Sequence, residues 1–226
     1  LASLAGKPLV QHLIDTVDSF QSSKTSIVVG YKSNEVERDL VSQKKLRFVK
    51  QKNQLGTAHA VKQALPNIRK NSVAVILYGD VPLVKKNTLN RLIKSASTGK
   101  LSLLTFIKED PTGYGRIIRG SRKNVQKITE HKDASSAEKE IKEVNSGILA
   151  IKASLLQQFI SKIKNNNAAK EYYLTDLVEI SNNHSVDVVA TLCDPYEVGG
   201  ANDKKDLHEL ERAYQKKLAE DLLKSG

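Results

Sequence analysis

Ser72-Val73-Ala74-Val75-Ile76-Leu77-Tyr78-Gly79-Asp80 is an uncharged, partly β-branched run that stops on a glycine and a carboxylate. Its length and composition predict a buried strand. An acidic side chain set directly after such a strand is costly unless it is hydrated, hydrogen-bonded or metal-bound. Working outward, the same kind of run recurs at 26–30 and 47–49 upstream and at 101–107 downstream. Between these runs the apolar spacing is helical: Leu9, Leu13, Val17 and Phe20 follow Pro8, and further helices are expected over 34–41, 58–65 and 87–97. Strand and helix in alternation predict an α/β fold with a doubly wound, mostly parallel sheet.

From Gly113 the rhythm changes. Short strands are expected at 115–119, 125–129 and 144–151, forming a small β-rich lobe. Helices return at 153–163 and 172–182, with a strand at 186–192 after them. A long Glu/Lys-rich helix over 203–223 carries Leu207, Leu210, Leu218 and Leu222 on one face.

With 226 residues, 39% hydrophobic and 27% charged, the chain can bury one large core. No apolar run approaches the roughly 20 residues of a membrane-spanning helix. The one cysteine, Cys193, excludes an internal disulfide framework, fits a reducing compartment and reads as a structural thiol after Val188-Val189-Ala190-Thr191-Leu192. The net charge of +11 suits nucleic acid, an anionic surface or a small anionic substrate. The basic residues are scattered in pairs such as Arg69-Lys70 and Lys85-Lys86, and aromatics make up only 5%, so a solvated lysine-rich surface is the better account of the charge.

Two segments sit where an α/β sheet binds ligands, beyond the carboxyl ends of strands. In Gln51 through Thr57, Gly56 allows close backbone approach and the following helix offers free N–H groups, which suits a nucleobase or phosphate. An ordinary strand-to-helix turn would look the same. In Tyr78-Gly79-Asp80-Val81-Pro82, Asp80 suits Mg²⁺, which prefers hard oxygens and keeps waters and substrate phosphates as its other ligands. A turn-capping aspartate is the alternative. No His or Cys cluster has zinc spacing, and neither His59 nor His131 is expected to move a proton in catalysis.

Taken together the motifs become specific. Gln51-x-x-Gln54-Leu55-Gly56-Thr57-Ala58-His59-Ala60, Leu77-Tyr78-Gly79-Asp80-Val81-Pro82-Leu83 and Asp110-Pro111-Thr112-Gly113-Tyr114-Gly115-Arg116-Ile117 occur in order. Glu130-His131-Lys132-Asp133-Ala134, Glu143-Val144-Asn145-Ser146-Gly147-Ile148, Asn165-Asn166-Asn167-Ala168, Glu171-Tyr172-Tyr173-Leu174-Thr175-Asp176 and Val198-x-Gly200-Ala201-Asn202 follow. Over nearly its whole length the series resembles the uridyltransferase domain of the bacterial family that combines N-acetylglucosamine-1-phosphate uridyltransferase with glucosamine-1-phosphate acetyltransferase.

The resemblance implies a Rossmann-like nucleotidyltransferase fold that joins UTP to N-acetylglucosamine 1-phosphate. The products would be UDP-N-acetylglucosamine, a cell-wall precursor made in the cytoplasm, and pyrophosphate. It implies that Gln51, Gly56 and Thr57 meet the uracil and that Tyr78 and Gly79 line the ribose and phosphate. By the same resemblance, Gly115, Glu130, Asn145 and Thr175 contact the sugar, with Tyr173 close by, and Asp80 and Asn202 hold a catalytic Mg²⁺. Residues 1–202 would form the transferase domain. Residues 203–226 would lead toward a left-handed β-helix domain, absent here, through which the family forms homotrimers. The family's opening strand and glycine-rich phosphate loop of the L-A-A-G-x-G-T-R-M type are also missing before Leu1. Two unpaired strand edges and an inactive chain are the expectation. Neither nucleic acid nor a membrane is expected as a partner. The alternatives are a different sugar-1-phosphate nucleotidyltransferase, a non-catalytic nucleotide-sugar-binding fragment, or a basic nucleic-acid-binding module.

Overall fold

The structure is a computed structural model that describes residues 1–226 except 22, 23, 32, 43–45, 202 and 226. The chain opens with a minimal hairpin, β1 (Ser3–Leu4) and β2 (Lys7–Pro8), turned through Ala5 and Gly6 at positive φ. Pro8 then caps α1 (Leu9–Asp18), which buries Leu9, Leu13 and Ile14. Next come β3 (Ser26–Val29), α2 (Ser33–Asp39), β4 (Arg47–Lys50) and α3 (Thr57–Ala64). A 3-10 turn, Leu65–Asn67, carries Pro66 past the end of α3. β5 (Val73–Ile76), α4 (Lys86–Ser97), β6 (Leu101–Ile107), β7 (Arg116–Arg119) and β8 (Val125–Thr129) follow. The rest is α5 (Ser136–Lys139), β9 (Glu143–Lys152), α6 (Ala153–Phe159), α7 (Leu177–Asn183), β10 (Val188–Leu192) and α8 (Lys204–Ser225).

Six strands make one sheet in the order β10-β6-β9-β7-β8, with β5 also paired to β9. The α/β class is as expected, but the sheet is mixed where a mostly parallel one is expected. β10 runs parallel to β6, whereas β9 lies antiparallel to β5, β6 and β7. The cause is the ten-residue β9, which returns from the β-rich lobe and threads between β5 and β6. Apolar periodicity shows that a strand is buried but not which way it runs.

Helices cover both faces of this sheet, which explains the near-continuous apolar run of β6. On one face Leu101 and Leu103 of β6 and Leu149 and Ile151 of β9 pack with Ala58, Leu156, Phe159, Leu177 and Val178. On the other, Leu104, Phe106, Ile148 and Ala150 pack with Leu13, Leu89, Leu92 and Ala96. Strand alternation along β6 sends Leu101 and Leu103 into one core and Leu104 and Phe106 into the other.

β3 and β4 form a separate parallel pair. Among the described residues nothing pairs with the remaining edge of β3 or of β5. Between them lies a cleft of about 1360 Å³, lined by β3, β5, α1 and α3 and reaching Tyr78, Gly79 and Asp80. α8 docks through Leu207, Leu210 and Tyr214 onto Leu4 and Leu9. Its Glu211 accepts the Ala5 N–H at 2.9 Å. Leu218 and Leu222, expected on that same apolar face, lie beyond the contact and are 51% and 63% exposed. No helix among the described residues is long and apolar enough to cross a membrane.

Candidate functional site

The turn after β4 is held from both sides. Gln51 N–H donates to the Val29 carbonyl at 2.8 Å, continuing the β3–β4 ladder by one rung. Gly56 then has φ +108°, and a Cβ there would stand 2.6 Å from the Tyr172 carbonyl oxygen. Only glycine fits this left-handed, crowded position. Tyr172 N–H donates to the Leu55 carbonyl (2.8 Å) and Ala58 N–H donates to the Tyr172 carbonyl (2.9 Å). Thr57 Oγ1 accepts the Leu174 N–H at 2.9 Å and is also hydrogen-bonded to Tyr78.

Tyr78 follows β5. Its ring lies against Gly147 of β9, where a Cβ would be 2.8 Å away and the φ of +84° again favours glycine. Burial pushes the Tyr78 phenol up to about 12; the Thr57 bond opposes the rise, and the carboxylates of Glu130 and Asp80 add to it. Tyr78 is therefore a neutral hydroxyl at physiological pH. Gly79 is exposed, and a Cβ there would meet nothing closer than 3.8 Å.

Glu130 stands at the end of β8, where Thr175 Oγ1 donates to its Oε1 at 3.0 Å. Burial raises the Glu130 pKa, the Thr175 bond lowers it, and Asp133 raises it again. Gly115 leaves room for this carboxylate, since a Cβ there would sit 3.2 Å from Glu130 Oε2. The Gly115 carbonyl accepts the Asn145 N–H at 2.8 Å. Burial raises the Tyr173 phenol, helped by Asp133 and Glu130. The residues anticipated at the sugar end therefore adjoin one another.

Asp80 begins the turn after Gly79. Its carbonyl accepts the Ala201 N–H at 3.1 Å, and a Cβ on Gly200 would lie 3.4 Å from the same oxygen. Asn202, the other anticipated metal ligand, lies outside the described residues. No hydrogen bond or ion pair among the described residues engages the Asp80 carboxylate. No three His, Cys, Asp or Glu side chains converge as a metal cluster among them either. One free, half-buried carboxylate beside a cleft fits a hard cation that takes water and phosphate oxygens for its other ligands.

Several further residues of this region take their surroundings from distant parts of the chain. Asp133 Oδ1 accepts the Ala168 N–H at 2.9 Å, pinning the 165–168 segment to the Glu130 loop. Asp176 has a pKa raised to about 6, first by burial and then by Glu179, Glu130 and Asp133. Arg116, 1% exposed, donates to the Tyr114 carbonyl and reaches His131 Nδ1 at 3.3 Å, so His131 packs behind the Glu130 loop. Cys193 Sγ contacts the Thr105 carbonyl at 3.4 Å. Burial and Glu197 push its thiol up to about 12, which removes a nucleophilic role.

Residues 1–143 match the family of MobA-like NTP transferase domains. The chain is 46% identical over 228 residues to the bifunctional protein GlmU of Pseudomonas entomophila and 41% identical over 227 residues to that of Alcanivorax borkumensis. Each alignment covers 100% of this chain and 50% of the relative, so the chain spans about half the length of these curated relatives. The fold is that of UDP-glucose pyrophosphorylase complexed with UDP-glucose (TM-score 0.72, 15% identity, 96% of this chain and 89% of that one). It is also that of a 4-diphosphocytidyl-2C-methyl-D-erythritol synthase from Anaerococcus prevotii (TM-score 0.67, 13% identity, 94% and 91%). Domain match, shared fold and a strand-end carboxylate beside a glycine-bearing loop agree, and the chain belongs to the MobA-like NTP transferase domain family.

Proposed function

We propose that this chain is the uridylyl-transferring unit of a sugar-nucleotide synthase, joining UTP to N-acetylglucosamine 1-phosphate with release of pyrophosphate. The observation that carries the reading is the segment 171–176. It is stitched by Tyr172 and Leu174 to the turn that would hold the base, and by Thr175 to the carboxylate that would hold the sugar. One piece of chain thus spans the two ends of a nucleotide sugar, with Asp80 free beside the cleft.

An oxygen of the sugar phosphate attacks the α-phosphorus of UTP. The new O–P bond forms as the bond to the bridging oxygen breaks, and pyrophosphate leaves with the electron pair. The attacking oxygen is already anionic, so no base is required. Catalysis is then alignment and charge neutralisation. Gln51, Gly56 and Thr57 hold the base, and Tyr78 with Gly79 lines the ribose and phosphate. Gly115, Glu130, Asn145 and Thr175, with Tyr173 nearby, hold the sugar and penalise one that leaves these groups unpaired. Mg²⁺, held by Asp80 and Asn202, would supply positive charge at the phosphates. On the same reading, 1–202 is the transferase unit, 203–226 leads toward the trimer-forming half, and the reaction runs in the cytoplasm.

The test is calorimetric titration with UDP-N-acetylglucosamine with and without Mg²⁺, beside pyrophosphate release from UTP and the sugar phosphate. Mg²⁺ should strengthen binding, and Asp80→Ala should abolish that strengthening with an unchanged melting curve. Where turnover is measured, Asp80→Ala should lower it about 100-fold or more. Binding indifferent to both Mg²⁺ and Asp80 would refute the metal assignment. Salt-dependent retention on DNA without nucleotide-sugar binding would favour a nucleic-acid role instead.

A further inference from the structure

Gln51 is 9% exposed, and both ends of its amide are accountable. Its Nε2 donates to the Gly56 carbonyl at 3.2 Å and lies 2.9 Å from His59 Nδ1. An amide nitrogen has two hydrogens to give and nothing to accept with. The Gly56 carbonyl selects the nitrogen end of the amide, and the closer His59 ring holds that end in place, since one 3.2 Å bond alone leaves the side chain free to swing away. Turned about, Oε1 would confront that oxygen with no hydrogen between them. Gly56 cannot retreat, being held against Tyr172 on one side and donated to by Ala60 N–H at 3.1 Å on the other.

With Nε2 of Gln51 fixed, His59 Nδ1 has to accept, so the proton of a neutral His59 ring sits on its Nε2. That nitrogen lies 3.2 Å from the Gln63 amide nitrogen. Gln63, unlike the buried Gln51, is half-exposed and can turn its amide clear of the His59 carbonyl, giving up the 3.3 Å bond to it and bringing its own carbonyl end to the ring proton. Both amide hydrogens of Gln51 are then occupied by protein. Only Oε1 is left to meet a ligand, and no hydrogen bond among the described residues uses it.

We infer that His59 is a positioning residue for base selection. It locks the Gln51 amide so that an acceptor alone faces the nucleobase, favouring a pyrimidine with a proton on N3 (uracil) over one with a lone pair there (cytosine). The inference rests on the proposed function, in which Gln51 meets the base. Acceptor against lone pair leaves a buried polar atom unsatisfied, which is why one side-chain orientation can discriminate between the two bases.

Two measurements test it. Long-range ¹H–¹⁵N spectra of the unliganded chain should show His59 as the Nε2–H tautomer; the Nδ1–H tautomer would overturn the inference whatever the protein binds. Calorimetry with UDP and CDP as probes should then show the wild type preferring UDP about tenfold or more. His59→Leu should collapse that preference to within about threefold, chiefly by weakening UDP, while His59→Asn, whose Oδ1 offers an acceptor near the Nδ1 position, should restore it. A wild type that prefers UDP, with His59→Leu folded and undiminished in preference, sinks the role of His59 and leaves the proposed function standing. So does a folded His59→Asn that behaves like His59→Leu. A wild type indifferent to both nucleotides removes the proposed function and this inference together.

Discussion

The central strand β6 and the β3–β4 pair are both hydrogen-bonded into sheets, yet they differ sharply in burial. In β6 every residue but Ile107 is buried, and Phe159, Leu156 and Leu92 close the two faces around it. In β3 only Val29 is buried, β4 buries nothing, and α2 buries only Ser33. The difference is the cleft of about 1360 Å³, which takes from β3 and β5 the neighbour each has on its other edge. The ladders alone do not distinguish the two regions; packing on the two faces does. The turn proposed to hold the base grows out of the looser pair and is fastened to residues 172–174 by hydrogen bonds.

Truncations in the two regions should separate most widely. Phe159→Ala is expected to lower unfolding free energy by about 3–5 kcal/mol, and Val28→Ala by about 1 kcal/mol or less. Urea melts read both, and equal losses would erase the distinction between the halves. Gly147→Ala probes the border, combining a positive φ with a Cβ 2.8 Å from the Tyr78 ring. A loss of about 2 kcal/mol is expected, together with weakened UDP-N-acetylglucosamine binding as Tyr78 is displaced. A stable variant that binds normally would show that the ring has room to shift.

The smallest effect concerns pH. Asp176 titrates near 6 in the folded chain and near 3.8 without its surroundings, so the native state holds that proton more tightly. The contribution to stability is present below about pH 4 and is lost as pH rises through about 6. Because the side chain is partly solvated, the swing is expected to be about 1 kcal/mol or less. Asp176→Asn should therefore gain on wild type between pH 4.5 and 7.5 in urea midpoints. A variant whose deficit grows over that interval would reverse the sign.

Much of this was legible in the sequence because burial leaves local marks. The apolar runs place β3, β4, β5, β6 and β8, and Pro8 marks the start of α1. What failed to show depends on distant partners. A helix is expected from 172, but Tyr172 spends its N–H and carbonyl on Leu55 and Ala58, and Leu174 gives its N–H to Thr57. A 3-10 turn, Leu174–Asp176, therefore comes first and α7 starts at Leu177. The direction of β9 is hidden for the same reason. Motif order brought the residues proposed for the sugar end to notice, along with Asp133 and Asp176, but the burial of Asp176 and the bond from Ala168 to Asp133 are encoded by no spacing. The short α5 did leave a mark, Ser135 followed by Glu138 in a reciprocal capping box, but four residues are too few to read as a helix by periodicity.

The fastening of residues 55–58 to 172–174 also bears on how this protein could change over time. On the proposed function, a substitution that adapts the base end would shift the same backbone that presents Thr175, so recognition of the two moieties would share one mechanical joint. New specificity would then arrive through paired, mutually dependent replacements. Lineages altering one moiety alone would have to loosen the joint first.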